Sequence, residues 1–307
     1  MTQWGGSVVV IGDIVVDVSA ALLEPIVPNS DTPAAVIIHA GGSGANQAAW
    51  LASCGVKAHF VGRIGDDDFG RKLGAELESS GVEAHLGVDR ERATGVIVVV
   101  VHASGERDML TDRGANLGLE LGDLPSELFA SSAVPPSPPR APGHLHLSGY
   151  TFFDSGTRAV AFEAMALAGR AGLTVSVDPS SESFLGAVGA EKFLSWTKPA
   201  CLCFPNLDEG KALTGADSPV EIALRLRDHY GAVALKLGAR GGLYLGRTGE
   251  PLEAAAPPAE VVDTTGAGDA FCAGFLASWL DGAGDRECLE RAVALSAGAV
   301  AIPGPRP

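Results

Sequence analysis

Positive charge is scarce in this chain. Its 307 residues include 22 Lys and Arg against 37 Asp and Glu, which gives a formal net charge of −15. A protein that binds a nucleic-acid backbone needs clustered Lys and Arg, so we expect no nucleic-acid partner. The acidic balance does not exclude a nucleotide substrate, because a nucleotide needs only a few local hydrogen-bond donors.

Long apolar runs and paired cysteines are also missing. No stretch reaches the roughly 20 apolar residues that span a bilayer, and no positively charged segment followed by an apolar one marks a signal peptide. The five cysteines are odd in number and show no C-x-x-C spacing, which favours a reducing compartment. We therefore expect a cytoplasmic protein that has no membrane partner.

Two common nucleotide-binding motifs are absent. The first apolar run, at 7–11, stops at Gly12 and is not followed by the G-x-G-x-x-G pattern. This argues against an enzyme that transfers hydride with a dinucleotide cofactor. The pattern G-x-x-x-x-G-K-[ST] is missing as well, which excludes a P-loop kinase. Any phosphate site in this chain must therefore use another kind of turn.

The second half of the chain alternates between strand patterns and helix patterns. This alternation predicts right-handed crossovers and a parallel sheet that is covered on both faces. An antiparallel edge strand and a last helix follow. The predicted strands are 144–148, 174–178, 201–205, 232–237 and the edge 242–245, and the predicted helices are 157–171, 189–196, 219–229 and 285–302.

The first half adds further strands and helices, and also four β-rich pieces that interrupt the alternation. Because these pieces do not fit the main sheet, we assign them to a small sheet that stands over a cleft as a lid. Weak helical character at 117–130 and a proline-rich loop at 134–140 follow. The predicted strands are 7–11 and 58–64, the helices are 45–54 and one with Phe69, Leu73 and Leu77 on one face, and the lid pieces are 15–22, 35–40, 94–101 and 107–111, joined by a turn at 102–106.

The stretch from Val261 to Phe271 combines a glycine turn with a carboxylate. We expect Val261 and Val262 to close a strand, and Gly266-Ala267-Gly268 to turn into an apolar helix. The first amides of a helix have no partner within it, and small residues let a phosphate approach them. A carboxylate at Asp269 would repel a merely bound anion, but it suits a general base that takes a proton from a hydroxyl. The simpler interpretation is a helix junction with a capping carboxylate.

These eleven residues resemble the C-terminal signature of the ribokinase (PfkB-type) family of sugar and nucleoside kinases. Residues 41–48 are similar to the family's sugar-binding segment, with Ser43 where Lys is usual, and residues 60–70 resemble its N-terminal signature. The resemblance covers nearly the whole chain. It implies an α/β, ribokinase-like fold, which is a parallel-centred doubly wound sheet flanked by helices, with a small β-sheet lid. The α/β domain would take 1–13, 41–92 and 114–307, and the lid 14–40 and 93–113.

The resemblance also implies a substrate site. Asp269 would be the catalytic base, and the amides of Gly266, Ala267 and Gly268 would receive the transferring phosphoryl group. Asp17 would grip sugar hydroxyls from the lid hinge. A turn residue at a strand end is the simpler alternative, but the matches of Gly12 and the glycine-rich segment favour the sugar-binding role. For Arg113 the simpler alternative is a surface pair with Asp112. The implied substrate-binding residues are Asp13, Asp17, Gly41, Gly42, Asn46 and Arg113.

A nucleotide and cation site is implied by two further matches. Asn206 and Glu209 fit the family's N-x-x-E motif and would hold Mg²⁺ through water, although the same pair suits a helix cap. Lys236, Gly238 and Gly241 fit its nucleotide-binding strand and turn. Asp263 and the carbonyl of Thr265 fit its site for a monovalent cation, which is K⁺ in members that use one.

The implied activity is that of an ATP-dependent sugar kinase, which transfers the γ-phosphate to a hydroxymethyl group of a small sugar. Val15 and Ser148 depart from the ribose-specific pattern. Alternatives are a nucleoside kinase, a 2-keto-3-deoxy sugar acid kinase and a sugar-binding regulator on a kinase scaffold. Lys236 and Arg113 give slight support to the sugar acid kinase. Pairing of lid edges into a homodimer is a further expectation. The H-x-H pair, His144 and His146, lacks a clear third ligand, so we interpret both as core or strand-end histidines.

Overall fold

The computed structural model describes residues 6–102, 104, 107–129 and 143–307. The proline-rich loop predicted at 134–140 lies outside these residues, as does part of the turn predicted at 102–106. Within the described ranges, none of the helices is long and apolar enough to span a membrane.

Strands and helices alternate along most of the described chain. In chain order the strands are β1 (Ser7–Ile11), β2 (Val15–Leu22), β3 (Ala34–Gly41), β4 (Lys57–Gly65), β5 (Glu83–Asp89), β6 (Thr94–Val101), β7 (Arg107–Gly114), β8 (His144–Ser148), β9 (Thr174–Asp178), β10 (Leu202–Cys203), β11 (Ala232–Lys236), β12 (Gly242–Leu245) and β13 (Leu252–Ala254). The α-helices are α1 (Ser43–Ser53), α2 (Asp68–Ser79), α3 (Tyr150–Phe153), α4 (Ser155–Ala171), α5 (Glu182–Val188), α6 (Ala190–Trp196), α7 (Leu207–Thr214), α8 (Pro219–Tyr230), α9 (Ala267–Leu280) and α10 (Asp285–Ala299).

Nine strands form the main sheet, in the order β13-β12-β11-β10-β9-β8-β1-β4-β5. Neighbouring strands from β11 to β5 run parallel, and β12 and β13 are antiparallel to their neighbours. Because consecutive parallel strands need crossovers, the helices cover both faces of the sheet. This is the parallel-centred, doubly wound α/β fold that the sequence predicts.

The alternation of side chains along β1 explains why its sequence is continuously apolar. Val8 and Val10 face a core that includes residues of α1, α9 and α10. Val9 and Ile11 face the opposite core, which includes residues of α4 and α8. Successive residues of a strand point to opposite faces, so a strand buried on both faces has no polar position. Burying each such side chain contributes roughly 1.5–3 kcal/mol.

A second, small sheet has four strands in the order β3-β2-β6-β7. It leaves the main sheet just after β1 and returns at Gly41, directly before α1. One of its faces carries Ile97, Val99 and Met109 toward a cavity at the end of the main sheet. The predicted small sheet is therefore present, and one of its faces borders this cavity.

Several local predictions are wrong. Residues 117–130 were predicted as a weak helix, but the described part forms short 3-10 turns at Ala115–Gly118, Leu121–Asp123 and Ser126–Phe129. Gly118, Gly122 and Pro125 interrupt this stretch at intervals of three or four residues, and such residues disfavour a helix interior.

The predicted strand at Val261 and Val262 is also wrong. Both side chains are exposed, and the stretch forms no sheet ladder; instead the amides of Val262 and Asp263 donate to the carbonyl of Val300. Two strands were missed. β5 extends one edge of the main sheet, and β13 pairs outside β12, which therefore is not the edge. Phe69, predicted on the buried face of α2, is 46% exposed, whereas Leu73 and Leu77 are buried.

Candidate active site

A cavity of about 470 Å³ lies where the parallel strands of the main sheet end and the small sheet begins. Residues of α1 and the turn before α9 line it from the main body, and Asp17, Ile97, Val99 and Met109 line it from the small sheet. A second, mostly apolar cavity of about 520 Å³ adjoins it between the 238–241 turn, α9 and α10. Gly238, Gly241, Thr264 and Ala267 line both cavities, so the two form one continuous cleft.

Asp269 lines the part of this cleft that has a volume of about 470 Å³. Its Oδ1 accepts a hydrogen bond from Ser43 Oγ at 2.8 Å, and its Oδ2 accepts one from Asn46 Nδ2 at 3.0 Å. Burial raises the pKa of Asp269 to about 7, and the charge of Asp178 adds to the rise. A carboxylate with a pKa near neutrality, held in place and facing a cavity, suits a general base.

The turn before Asp269 presents the start of α9 to the same cavity. Gly266 has φ +77°, a left-handed conformation that favours glycine, and a Cβ built there would lie 2.3 Å from the Pro305 carbonyl oxygen. The first helical bond runs from Ala270 N to Gly266 O. The Ala267 amide donates to the Thr264 carbonyl at 3.4 Å, outside the helix. The first amides of a helix have no partner within it, so the amide of Gly268 is positioned to receive negative charge.

The sugar-binding segment predicted at 41–48 forms the entrance to α1. Gly42 has φ +93° and precedes the helix, and a Cβ there would meet the Asp13 carbonyl oxygen at 2.3 Å. Gly41 lies under the Asp17 carboxylate, because a Cβ at Gly41 would be 2.1 Å from Asp17 Oδ2. The two glycines therefore let β2 and α1 approach closely, and Asp17 and Gly42 both line the cavity.

Asp17 and Asp269 are two carboxylates in one cavity. Burial raises the pKa of Asp17 to about 6, Arg306 opposes this rise, and Asp263 adds to it. Arg306 also donates from Nε to Asn46 Oδ1 at 2.9 Å and from Nη2 to the Gly41 carbonyl at 2.7 Å. Burial of this guanidinium lowers its pKa to about 10.

Lys236 is paired inside the protein rather than free in the cavity. Its Nζ donates to both oxygens of Asp178, at 3.0 and 2.9 Å, and this pairing raises the pKa of Lys236 against the effect of burial. Asp178 is itself held by Gln47 Nε2 at 3.0 Å, and Gln47 Oε1 lies 3.1 Å from His146 Nε2. A buried hydrogen-bonded network therefore fixes the lysine in the wall of the cavity, which it lines.

The H-x-H pair belongs to this network. His146 and His144 both lie within hydrogen-bond distance of the Ser176 hydroxyl, at 2.6 and 2.7 Å, and both are fully buried. Burial lowers the pKa of His144 to about 3, so it is neutral. Their interpretation as core histidines agrees with this geometry.

Asn206 and Glu209 form a complete capping box at the start of α7. Glu209 N donates to Asn206 Oδ1, and Asn206 N and Nδ2 donate to the two carboxylate oxygens of Glu209, all at 2.8 Å. Burial raises the pKa of Glu209 to about 7, and Lys236 opposes the rise. Both residues also line the cavity. Asn206 and Glu209 therefore cap α7, as the simpler interpretation predicts. This capping is compatible with a contact between the same two side chains and a cation through water.

Asp13 and Arg113 require a correction. Arg113 does not pair with Asp112; it donates from Nε and Nη2 to the two oxygens of Asp13 at 2.7 and 2.8 Å, and both residues are buried. Neither side chain lines the cavity of Asp269. An Arg guanidinium can donate two parallel hydrogen bonds to one carboxylate, and the two opposite charges then neutralise each other. Their predicted direct contact with a substrate has no support in this geometry.

Asp263 and Thr265 lie at the rim of the site. Thr265 N and Oγ1 donate to Asp263 Oδ1 at 2.9 and 2.8 Å, and Gly304 N donates to Asp263 Oδ2 at 3.3 Å. These bonds fix the turn that leads into Gly266. A monovalent cation at this turn stays a prediction.

Two contributors, Ser43 and Arg306, were missed. Asp178 follows a predicted strand and is expected near the cleft, but nothing in the sequence indicates that it holds Lys236, and Ser43 stands out only as a replacement for Lys. Arg306 lies in a segment of proline and glycine without any pattern, and nothing in the sequence connects it with α1. Its contacts depend on how the chain returns after α10.

The chain is similar to known kinases over nearly its whole length. The sequence model of the pfkB family carbohydrate kinases matches residues 6–307. Fructokinase-1 of Oryza sativa subsp. japonica is 32% identical over 246 residues, which cover 77% of this chain and 72% of the relative.

Two solved structures superpose on it. Aminoimidazole riboside kinase of Salmonella enterica, complexed with aminoimidazole riboside and an ATP analogue, has a TM-score of 0.79 and 27% identity, covering 98% of this chain and 95% of that one. A ribokinase II of E. coli in complex with ATP and Mg²⁺ has a TM-score of 0.83 and 22% identity, covering 98% and 94%. At that identity, the second match bears on the fold alone.

Proposed function

Since the chain belongs to the pfkB family of carbohydrate kinases, we propose that it transfers the γ-phosphate of ATP to the hydroxymethyl group of a small neutral sugar. Membership in the family makes it an ATP-dependent phosphotransferase that acts on a sugar hydroxyl. The roles of individual residues and the kind of sugar are our proposal. The observation that carries it is the carboxylate of Asp269, with a pKa near 7, facing a cavity beside the first amides of α9.

In the proposed reaction, Asp269 takes the proton of the acceptor hydroxyl while the hydroxyl oxygen bonds to the γ-phosphorus. The bond between that phosphorus and the ADP oxygen breaks, and ADP carries away the electron pair. Ser43 and Asn46 hold the carboxylate in position, and the amides of the 266–268 turn receive the negative charge of the transferring group. Positioning and charge stabilisation supply most of the rate, and the base adds about 10²- to 10⁴-fold.

The nucleotide is proposed to occupy the adjoining apolar cavity with its phosphates directed toward Gly238 and Gly241. Mg²⁺ accompanies ATP in the family, where it neutralises phosphate charge. Asn206 and Glu209 fit such an ion only through water, because both carboxylate oxygens of Glu209 already accept hydrogen bonds from Asn206. Lys236 lies within reach of the same part of the cavity and adds a fixed positive charge.

The small sheet, comprising 14–40 and 93–113, is proposed to act as a lid over the α/β domain formed by 1–13, 41–92 and 114–307. Asp17 lies on β2 near the point where the sheet leaves the main body, and Gly41 lies where it returns. Closure would bring Asp17 against the sugar hydroxyls and exclude water from the reaction.

A neutral sugar is favoured over a 2-keto-3-deoxy sugar acid. A substrate that bears a carboxylate needs a cationic side chain that is free to bind it. The two basic residues that favoured an acid substrate are already in ion pairs, Lys236 with Asp178 and Arg113 with Asp13. Among the residues that line the cavity in the described chain, Lys236 is the single Lys or Arg, whereas Asp17, Asp178, Glu209 and Asp269 are acidic. Carboxylates accept hydrogen bonds from sugar hydroxyls and repel acids.

A riboside with an apolar base is the second candidate. Ile97, Val99 and Met109 form an apolar wall on the lid side of the cavity, and Tyr150 adds one aromatic ring. Such a wall can cover a flat base as well as the carbon face of a sugar. A sugar-binding regulator is disfavoured, because it would have no use for Asp269 beside the amide turn.

We also propose a homodimer, a bound K⁺ and a cytoplasmic location. Exposed apolar side chains on the lid support a homodimer through its edge strands, with Ile37 of β3 being 53% exposed and Leu110 of β7 being 63% exposed. Asp263 and the Thr265 carbonyl are proposed to hold K⁺. The absence of disulfide pairs among the described cysteines is compatible with a cytoplasmic protein.

The experiment that tests the function is an ATP-coupled assay against fructose, ribose, 2-keto-3-deoxygluconate and adenosine. The proposal predicts the highest kcat/KM for a neutral sugar, and phosphate on its hydroxymethyl oxygen. Preference for adenosine would select the second candidate. Preference for the acid would contradict the argument from paired cations, and ATP turnover with no acceptor sugar phosphorylated would contradict the kinase assignment.

A further inference from the structure

Three metal-binding side chains meet at the edge of the main sheet, away from the cleft. His59 lies near the start of β4, and Glu83 and His85 lie on β5, the outermost strand. His59 is directly opposite Glu83 in the parallel ladder, and His85 is two residues further along, so all three share one face. From this arrangement we propose that His59, Glu83 and His85 form a binding site for Zn²⁺ or a similar divalent transition metal.

The distances between the ligand atoms fit such an ion. His59 Nδ1 lies 3.2 Å from His85 Nε2 and 3.2 Å from Glu83 Oε2. All three atoms lie within 4.8 Å of one another. Zn²⁺ holds nitrogen and oxygen ligands tetrahedrally at about 2.0–2.2 Å, which separates neighbouring ligand atoms by about 3.3–3.6 Å. The observed spacing is therefore close to the edge of a zinc tetrahedron.

The chemistry of the three ligands is also suitable. Two imidazoles and one carboxylate form a known zinc ligand set that leaves the fourth position for water. His59 is buried, and its Nδ1 faces both His85 and Glu83. Lys57 Nζ lies 3.1 Å from Glu83 Oε1, which leaves Oε2 directed at the histidines. Such an outer partner orients a metal-binding carboxylate.

A hydrogen bond between the two histidines, with an ion pair to Glu83, is the simpler account of the same contacts. The two accounts differ in what the site does when a metal is supplied. A metal would join the outermost strand β5 to β4 and stabilise that edge of the sheet. It would leave the kinase reaction unchanged, because the cluster lies near the start of β4 and the cleft lies beyond the opposite ends of the strands.

The test is titration of the full chain with Co²⁺ in the presence of excess Mg²⁺ and without nucleotide. Co²⁺ is a suitable probe because its visible spectrum distinguishes tetrahedral from octahedral coordination. We expect one tetrahedral Co²⁺ per chain, displaced by Zn²⁺, and a melting temperature that rises with Zn²⁺. His85→Gln and Glu83→Gln should each weaken binding by at least about tenfold, since even the loss of an outer partner costs 10- to 100-fold.

The matched control is His229→Gln, which removes an exposed histidine on α8 and should leave Co²⁺ binding unchanged. His59→Gln is a further test, but His59 is buried and its replacement can also change the folding of the chain. The two β5 variants, Glu83→Gln and His85→Gln, therefore decide whether the metal site exists. An unchanged affinity in both β5 variants would overturn the site, as would octahedral Co²⁺ alone. Binding that survives in them and disappears in Glu209→Gln would assign the metal to the cleft instead.

Discussion

Arg306 fixes the orientation of the Asn46 side chain. Its Nε donates to Asn46 Oδ1 at 2.9 Å, so the amide must direct Nδ2 the other way, and that Nδ2 donates to Asp269 at 3.0 Å. The two ends of an amide are similar in shape, and the partner of one end decides what the other end can do. Arg306 therefore acts on the proposed base through Asn46, without lining the cavity itself.

Arg306→Met should lower kcat by up to about 100-fold, because small displacements of a catalytic group cost that much. We expect a smaller effect on the KM for ATP, since neither Arg306 nor Asn46 lines the cavity proposed for the nucleotide. Arg306→Lys should recover part of the activity by restoring a donor to Asn46. Steady-state kinetics measures both.

The control for this variant is Arg286→Met, which removes an exposed arginine on α10 whose ion pair with Glu290 spans 3.7 Å. It should leave kcat unchanged. A purely structural role of Arg306 would lower the amount of folded protein and spare the kcat per folded molecule, and that result would contradict the positioning role.

The pair formed by Lys236 and Asp178 should be sensitive to the loss of one partner. Lys236→Met leaves the buried carboxylate of Asp178 without its cation, and breaking a buried pair costs about 3–5 kcal/mol. The double variant with Asp178→Asn should regain much of this free energy of unfolding, because no unpaired charge is left. Denaturant unfolding of the single and double variants measures the difference.

The same two variants separate stability from function. If Lys236 also supplies charge to the nucleotide phosphates, the double variant will fold well but keep a raised KM for ATP. Recovery of both stability and the KM for ATP in the double variant would show that Lys236 has only a structural role.

The rate should depend on pH through Asp269. A base must be ionised to act, and the pKa of Asp269 is about 7, so kcat/KM for the sugar should rise with pH and level off above that value. The hydrogen bond from Ser43 lowers this pKa. Ser43→Ala should therefore raise it and shift the acid limb of the profile to higher pH.

The check is a pH–rate profile of the wild type and of Ser43→Ala, with Ser53→Ala as a matched control. The Ser53 hydroxyl donates to the carbonyl of Trp50 in the same helix and does not contact the site. A shift of the acid limb toward lower pH in Ser43→Ala would contradict the role given to this hydrogen bond.

The sequence predicts the fold well because its signals are local. Continuous apolar strands such as 7–11, and turns such as 266–268, contain within a few residues the reason for their structure. The ends of parallel strands share one edge of a sheet, so Asp178 and Asn206, which both follow predicted strands, could be expected to meet.

The remaining contacts depend on distant residues. Nothing near Arg113 indicates that it pairs with Asp13, 100 positions away, and nothing near Arg306 indicates Asn46, 260 positions away. Val261 and Val262 have strong strand propensity, but the amides of Val262 and Asp263 donate to the Val300 carbonyl after α10 returns, so tertiary context overrides the local preference. These are the places where sequence patterns alone gave a wrong or missing assignment.

The most direct test of the central claim is single-turnover phosphoryl transfer by Asp269→Asn at saturating ATP and sugar. The substitution keeps the shape of the side chain and removes the base. We expect the rate to fall by about 10²- to 10⁴-fold, while the Kd for ATP, measured by calorimetry, changes little. A rate within a few fold of the wild type, with ATP still bound, would contradict the assignment of Asp269 as the base.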